Sequence, residues 1–183
     1  MIWHLQLPLN REILEPLRAG DQVYLNGDLF TARDAAHQRL AETHNRGEQL
    51  PISLAGATIY YTGPCPAKPG AAIGPCGPTT SMRMDTFAPL FFSLGMIAMV
   101  GKGDRTPVIR ELCRSYGGVY LVTLGGAAAL LAETVVASEI VAYEDLDSEA
   151  IRRLTVVDMP TFVAIDSAGN LLFESEIPKY RRA

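Results

Sequence analysis

Short apolar runs recur along this chain at 23–25, 58–62, 96–100, 119–123, 140–143 and 161–166, and helix-like stretches separate most of them. The runs are apolar at consecutive positions rather than alternate ones. Strands of that kind need cover on both faces, which a sheet with helices packed against it provides. The alternation therefore predicts an α/β domain. With 183 residues, 48% apolar and 20% charged, the chain is long enough to bury a sizeable core as one domain over 1–183.

Local signals place the other elements. The first segment ends at Gly20-Asp21, and Asn26-Gly27-Asp28 reads as a turn after the strand at 23–25. Thr31, with Asp34 three residues on, is close to a capping box, predicting a helix that runs to about Asn45-Arg46 and stops at Gly47. A second helix is expected from about Ser81 to Leu94, capped by the hydroxyls Thr79 and Thr80 and ended by Gly95. Thr106 and Pro107 hold the N-cap and first-helical positions of a third. An Ala/Leu-rich helix follows Gly125-Gly126, and two last strands at 161–166 and 171–174 are joined by the turn at 167–170. Between the strand at 58–62 and the helix at Ser81 lies a long loop dense in proline and glycine. Such residues fix a backbone path without regular structure, and loops of that length are often functional.

Several classes drop out. A net charge of −4 offers no nucleic-acid surface. The most apolar stretches, 87–100 and 119–132, are interrupted and fall short of the roughly 20 residues that span a bilayer. No basic region followed by an apolar run opens the sequence, so the cytoplasm is the expected compartment. The three cysteines, Cys65, Cys76 and Cys113, are widely spaced, whereas cluster ligands usually include a close pair. They read as small buried or loop thiols, with no metal held by this chain.

What remains is a set of cations at strand ends and helix starts. Arg33 and His37 lie four apart, as do Thr79 and Arg83, and Lys102 sits between two glycines beyond a buried strand. Ligands in α/β sheets bind beyond the carboxyl ends of strands, so these side chains can converge on one anion. Two arginines suit a dicarboxylate, each gripping one carboxylate bidentately. The helix start at Thr79-Thr80 would add free N–H groups and the positive end of the macrodipole. Each element also has an ordinary reading. Gly101-Lys102-Gly103 is commonly a solvated turn, His37 a helix-surface or supporting residue, and Gly125-Gly126 a site of close backbone packing. Composition and pattern stop at an anion-binding α/β domain.

The order and wording of the motifs go further. Thr31-Ala32-Arg33-Asp34-Ala35-Ala36-His37, Tyr61-Thr62-Gly63-Pro64, Pro66-Ala67-Lys68-Pro69-Gly70, Gly77-Pro78-Thr79-Thr80-Ser81-Met82-Arg83-Met84-Asp85, Gly101-Lys102-Gly103 and Gly125-Gly126-Ala127-Ala128-Ala129-Leu130-Leu131 follow one another collinearly. In that order they resemble the β subunit, or C-terminal domain, of class I iron–sulfur fumarases and the related tartrate dehydratases. The RDxAH and GPTTSxRM blocks are the specific ones.

The resemblance implies a swivelling β/β/α domain. It implies interconversion of (S)-malate with fumarate and water by a hydro-lyase whose [4Fe–4S] cluster is bound by a separate α subunit, in an α2β2 assembly. One cluster iron would act there as a Lewis acid. Carried onto this sequence, Arg33 and Arg83 hold substrate carboxylates and Lys102 adds a third cation. Thr79 is the catalytic hydroxyl, while His37 and Thr80 support the site. The tail around Tyr143-Glu144-Asp145-Leu146 and the run from Pro66 to Gly70 favour fumarate over L-tartrate. The remaining alternative is a carboxylate-binding module without catalysis.

Overall fold

The computed structural model describes residues 1–181; Arg182 and Ala183, the last two of the expected 1–183 domain, lie outside the described residues. Its elements are β1 (Ile2–Gln6), α1 (Arg11–Leu14), β2 (Gln22–Thr31), α2 (Asp34–Asn45), β3 (Thr58–Tyr60) and a 3-10 turn (Ser81–Met84). Then come α3 (Ala88–Ser93), β4 (Ala98–Gly101), α4 (Pro107–Tyr116), β5 (Val119–Val122), α5 (Ala128–Glu133) and β6 (Val135–Ala142). A second 3-10 segment (Glu144–Glu149), β7 (Ile151–Ile165) and α6 (Leu172–Tyr180) complete the chain.

The strands run in the order β1-β2-β3-β4-β5-β7-β6, and β2 also pairs with β7. That extra pairing closes β2, β3, β4, β5 and β7 into a five-stranded barrel-like sheet with β1 and β6 flanking it. β2 to β5 are parallel, and β7 runs against both β5 and β2. Closure leaves the five ring strands no free edge.

Alternate residues of each strand enter two separate cores. Val23, Leu25, Tyr60, Val100, Leu121 and Val163 pack on one face. Ile59, Tyr61, Met99 and Tyr120 point the other way, against Leu40 of α2, Phe91 of α3 and Ile109 of α4. Full burial of a side chain of this size contributes about 1.5–3 kcal/mol. The expected α/β character and two-sided strand burial are thus present.

Some local expectations are overturned. Asn26-Gly27-Asp28 is no turn: β2 runs through it, with a register shift between Leu25 and Gly27 against β7 and Gly27 at φ 107°. Glycine supplies the positive φ of a bulge as readily as that of a turn. Thr31 ends β2 instead of capping α2; its hydroxyl accepts from the Arg152 N–H at 3.0 Å, and Arg33 takes the N-cap position with no side-chain cap. The helix expected over 81–94 is broken into the 3-10 turn and α3. Pro89 cannot donate to the Asp85 carbonyl, and the Asp85 carboxylate is drawn away to Arg105 and Thr106. The strand expected at 171–174 is the start of α6, with only a single bridge from Leu171 to Ile165. β1 and α1 had no sequence assignment.

Candidate functional site

Parallel strands deliver their carboxyl ends to one side of the sheet, and the candidate residues follow them there. Arg33 comes two residues after β2, and Lys102 directly after β4. The proline-rich loop leaves the end of β3 and returns to lay 79–84 across the ends of β3 and β4. Two hydrogen bonds fix that return. Thr79 N–H donates to the Tyr61 carbonyl at 2.7 Å, and Ser81 N–H to the Lys102 carbonyl at 3.1 Å. Thr80 forms an isolated bridge with Lys102, and the Lys102 N–H reaches Ser81 Oγ at 3.1 Å.

Thr79, Thr80, Arg83 and Lys102, with Pro78, line one shallow concavity of about 440 Å³. Arg33 joins them through a carboxylate. Asp34 Oδ2 stands 3.4 Å from Arg83 Nη2 and 3.7 Å from Arg33 Nη2. Glu149 Oε1 lies 3.4 Å from the same Arg33 nitrogen, and its Oε2 accepts from the Ala35 N–H at 2.9 Å. The Asp34 contacts are ion pairs without hydrogen bonds: Asp34 Oδ2 and Arg33 Nε are buried without a hydrogen-bond partner. Gly63 makes this geometry possible, because a Cβ there would stand 2.7 Å from Arg33 Nη1.

The site differs from the sequence expectation in its source of positive charge. Neither Thr79 nor Thr80 caps a helix. Thr79 Oγ1 donates to the Tyr61 carbonyl at 2.9 Å, Thr80 makes no cap bond, and four residues of 3-10 turn supply no helix macrodipole. The positive charge at the concavity is that of the Arg83 and Lys102 side chains, with Arg33 held behind Asp34 and Glu149. The Thr79 hydroxyl, with its proton on Tyr61, keeps its lone pairs free to accept.

His37 lies beneath the site, not on a helix surface. It is 1% exposed, stacks on Phe91 at 4.8 Å and meets Tyr61 edge-on. Its Nδ1 is 2.9 Å from the Arg33 carbonyl, which can only accept, so Nδ1 carries the proton. Burial pushes its pKa down to about 4, so the ring is neutral at ordinary pH. It touches the Arg33 backbone, and no contact to the guanidinium is present.

Beneath Arg83 and Lys102 lies a buried network that the motif reading did not assign. Asp85 accepts from Arg105 Nε at 2.6 Å and from Thr106 N and Oγ1, both at 2.7 Å. Arg105 sits over the rings of Tyr120 and Tyr61, and the Tyr120 hydroxyl lies 2.9 Å from Ser81 Oγ. Asp34 and Asp85 lie inside the two motif stretches that carry the specific blocks, one residue from Arg33 and two from Arg83, and that placement was the signal available. Gly125 and Gly126 carry nothing within 4 Å of a Cβ position, so close packing does not explain them. Among the described residues no group of three or more His, Cys, Asp or Glu is gathered to hold a metal ion. No helix among them is long and apolar enough to cross a membrane.

A family model described as Fumarase C-terminus matches residues 3–176. Class I aerobic fumarate hydratase of Escherichia coli K12 is 38% identical over 177 residues, covering 92% of this chain and 32% of that protein. Fumarate hydratase 2 of Leishmania major is 37% identical over 169 residues, covering 91% of this chain and 30% of that protein. The chain thus spans about a third of the length of these relatives. A putative L(+)-tartrate dehydratase subunit beta of Methanocaldococcus jannaschii is 39% identical over 172 residues, with 91% of this chain and 88% of that protein covered.

Proposed function

The chain belongs to the fumarase C-terminus family, and on that premise we propose that it is the β subunit of a two-subunit hydro-lyase interconverting (S)-malate with fumarate and water. The observation that carries this reading is the concavity at the sheet's end, where Thr79, Arg83 and Lys102 meet and Asp34 links Arg33 to Arg83.

In this reading Arg33 and Arg83 each take one substrate carboxylate as a charge-assisted contact in exchange for the Asp34 and Glu149 carboxylates that face them, and Lys102 supplies a third cation. The three hold the negative charge that builds up on a carboxylate as the neighbouring carbon loses its proton. Thr79 faces that carbon as the proton acceptor. Its own proton rests on the Tyr61 carbonyl, which is too weak a base to receive it. The Thr79 hydroxyl proton must therefore pass to a carboxylate on the partner subunit as Thr79 takes the proton from carbon. The leaving substrate hydroxyl would be taken up by the Lewis acid that the partner's cluster supplies. His37, neutral and buried, braces the start of α2.

A [4Fe–4S] cluster enters the proposal as the partner's group. The thiols here do not fit it: Cys65 is exposed, Cys76 and Cys113 are buried, and no ligand set is assembled among the described residues. An α2β2 assembly in the cytoplasm completes the reading. The alternative reading, the β subunit of an L-tartrate dehydratase, draws on the Methanocaldococcus relative.

The test is anaerobic fumarate hydration by this chain alone and mixed with a cluster-loaded α subunit, with tartrate in parallel. Activity confined to the mixture supports the β-subunit role, and the preferred substrate names the reaction. In the mixture, Arg83→Ala should lower turnover about 10²–10³-fold with the fold intact. Near-normal turnover would remove Arg83 from the site. If no complex forms, a carboxylate-binding module without catalysis takes the proposal's place.

A further inference from the structure

A second cavity, of about 370 Å³, lies between the proline-rich loop and the β6–β7 ribbon. Cys65 and Ile73 of the loop, Ser138 of β6, Asp147 and Ser148 of the following turn and Arg152 of β7 line it. In the β6–β7 register Ile140 faces Arg152 and Ser138 faces Leu154. Ser138 is therefore a diagonal neighbour of Arg152 on the same face of the ribbon.

Both side chains are short of partners. Arg152 Nε and Ser138 Oγ are sealed from solvent and make no hydrogen bond. Glu139 is engaged with Arg153 and Glu149 with Arg33, while Asp147, which lines the same cavity, has no ion pair among the described residues. Among the described residues Arg152 has no ion pair. A buried donor left unpaired costs about 1–3 kcal/mol, and native proteins rarely leave two side by side. The turn that walls the cavity is strained as well, with Asp147 at φ 50° and ψ −110°. Such strain concentrates where chains clamp ligands.

We propose that this cavity binds a small oxyanion, with a carboxylate or phosphate head on the Arg152 guanidinium and the Ser138 side chain turning into the cavity to serve as second donor. Asp147, which also lines the cavity, adds a negative charge that would select against polyanions, and Ile73 would accommodate an apolar remainder. Gly63 separates this cavity from the arginine clamp: a Cβ there would meet Ser148 O at 3.1 Å and Arg33 Nη1 at 2.7 Å. The two sites stand back to back, and this proposal does not depend on the hydro-lyase reading.

The cavity contains its own reporter. Cys65 is exposed, whereas burial pushes the thiols of Cys76 and Cys113 up to about 11 and about 12, so alkylation falls on Cys65. The experiment follows iodoacetamide labelling of Cys65 by mass spectrometry in the 183-residue chain. Acetate, (S)-malate and inorganic phosphate are titrated separately at constant ionic strength set with chloride. Occupancy at ten times Kd should slow labelling about tenfold for at least one anion. The anion that protects identifies the source of the head group. Protection should survive Arg83→Ala and vanish in Arg152→Gln. Ser138→Ala should weaken it several-fold, which keeps the test open if Arg152→Gln does not fold. No protection by any of the three overturns the proposal. So does protection lost in Arg83→Ala but kept in Arg152→Gln, which would put the anion at the clamp.

Discussion

His37 takes its properties from burial, and these have a measurable consequence. With its pKa near 4 in the folded chain, it stays neutral where the unfolded chain's imidazole is already protonated. As pH falls from about 6.5 towards 4 the unfolded state binds a proton that the native state refuses, so stability drops through that window. The loss amounts to about 2–3 kcal/mol by about pH 4.5. Urea unfolding of wild type and His37→Gln at both ends of the window checks this: the variant's stability should fall less by that amount, and parallel curves would mean that His37 titrates normally. Thr79 is tested differently. Thr79→Val removes the hydroxyl but keeps its shape, so in the assembled enzyme kcat should fall far more than KM changes. An effect on KM alone would make Thr79 a binding residue. Both residues were marked in the sequence by lying four positions from Arg33 and Arg83, while the catalytic role given to Thr79 came from the family resemblance. Asp34 and Glu149 were not read as site residues: Glu149 meets Arg33 only after more than a hundred residues of chain have folded back, and no local pattern encodes that return.

The segment from Ser81 to Ser93 shows how one ion pair shapes an element. Arg105 and Asp85 are 1% and 4% exposed, and their bond pins the 3-10 turn bearing Arg83 to the connection that leads from Lys102 into α4. Breaking a buried pair on one side leaves an uncompensated charge, so Asp85→Ala should cost about 3–5 kcal/mol. The double variant Asp85→Ala/Arg105→Met should be less destabilised than the sum of the singles. Chemical denaturation of the three variants decides it, and strict additivity would show that the pair is not coupled. The hydroxyls at 79 and 80 and Gly95 predicted a single helix here; Pro89 was a local sign of the break, whereas the Asp85–Arg105 pairing is not local. The same limit explains Gly27. A glycine after asparagine reads as a turn, and only the long partner β7 reveals it as a bulge inside one strand. The start of α4 was legible because proline at the first helical position is a local signal, although the Thr106 hydroxyl makes no cap bond and donates to Asp85 instead.

At the scale of the whole molecule, consecutive apolar runs revealed strands covered on both faces, but not a sheet that closes on itself. Closure depends on β7 running antiparallel between β5 and β2, a pairing across more than a hundred residues. The closed sheet holds its strand ends fixed, so the clamp is positioned before any ligand arrives, yet it faces water. Arg83 is 47% exposed. An ionic contact there is worth about 1 kcal/mol at the dielectric of water and about 4 kcal/mol at an effective value near 20. The isolated chain should therefore bind fumarate with a Kd on the order of millimolar or weaker. That affinity should fall several-fold as salt rises from about 20 to about 200 mM, since exposed charges are screened. Covering the clamp with the proposed partner lowers the local dielectric, so the assembled complex should bind at least about tenfold more tightly and respond less to salt. Isothermal titration calorimetry with catalysis blocked by Thr79→Val measures both. Equal affinity and equal salt dependence in the two forms would mean that the partner does not cover this face, and the reading of Arg33, Arg83 and Lys102 as half of a shared site would fail.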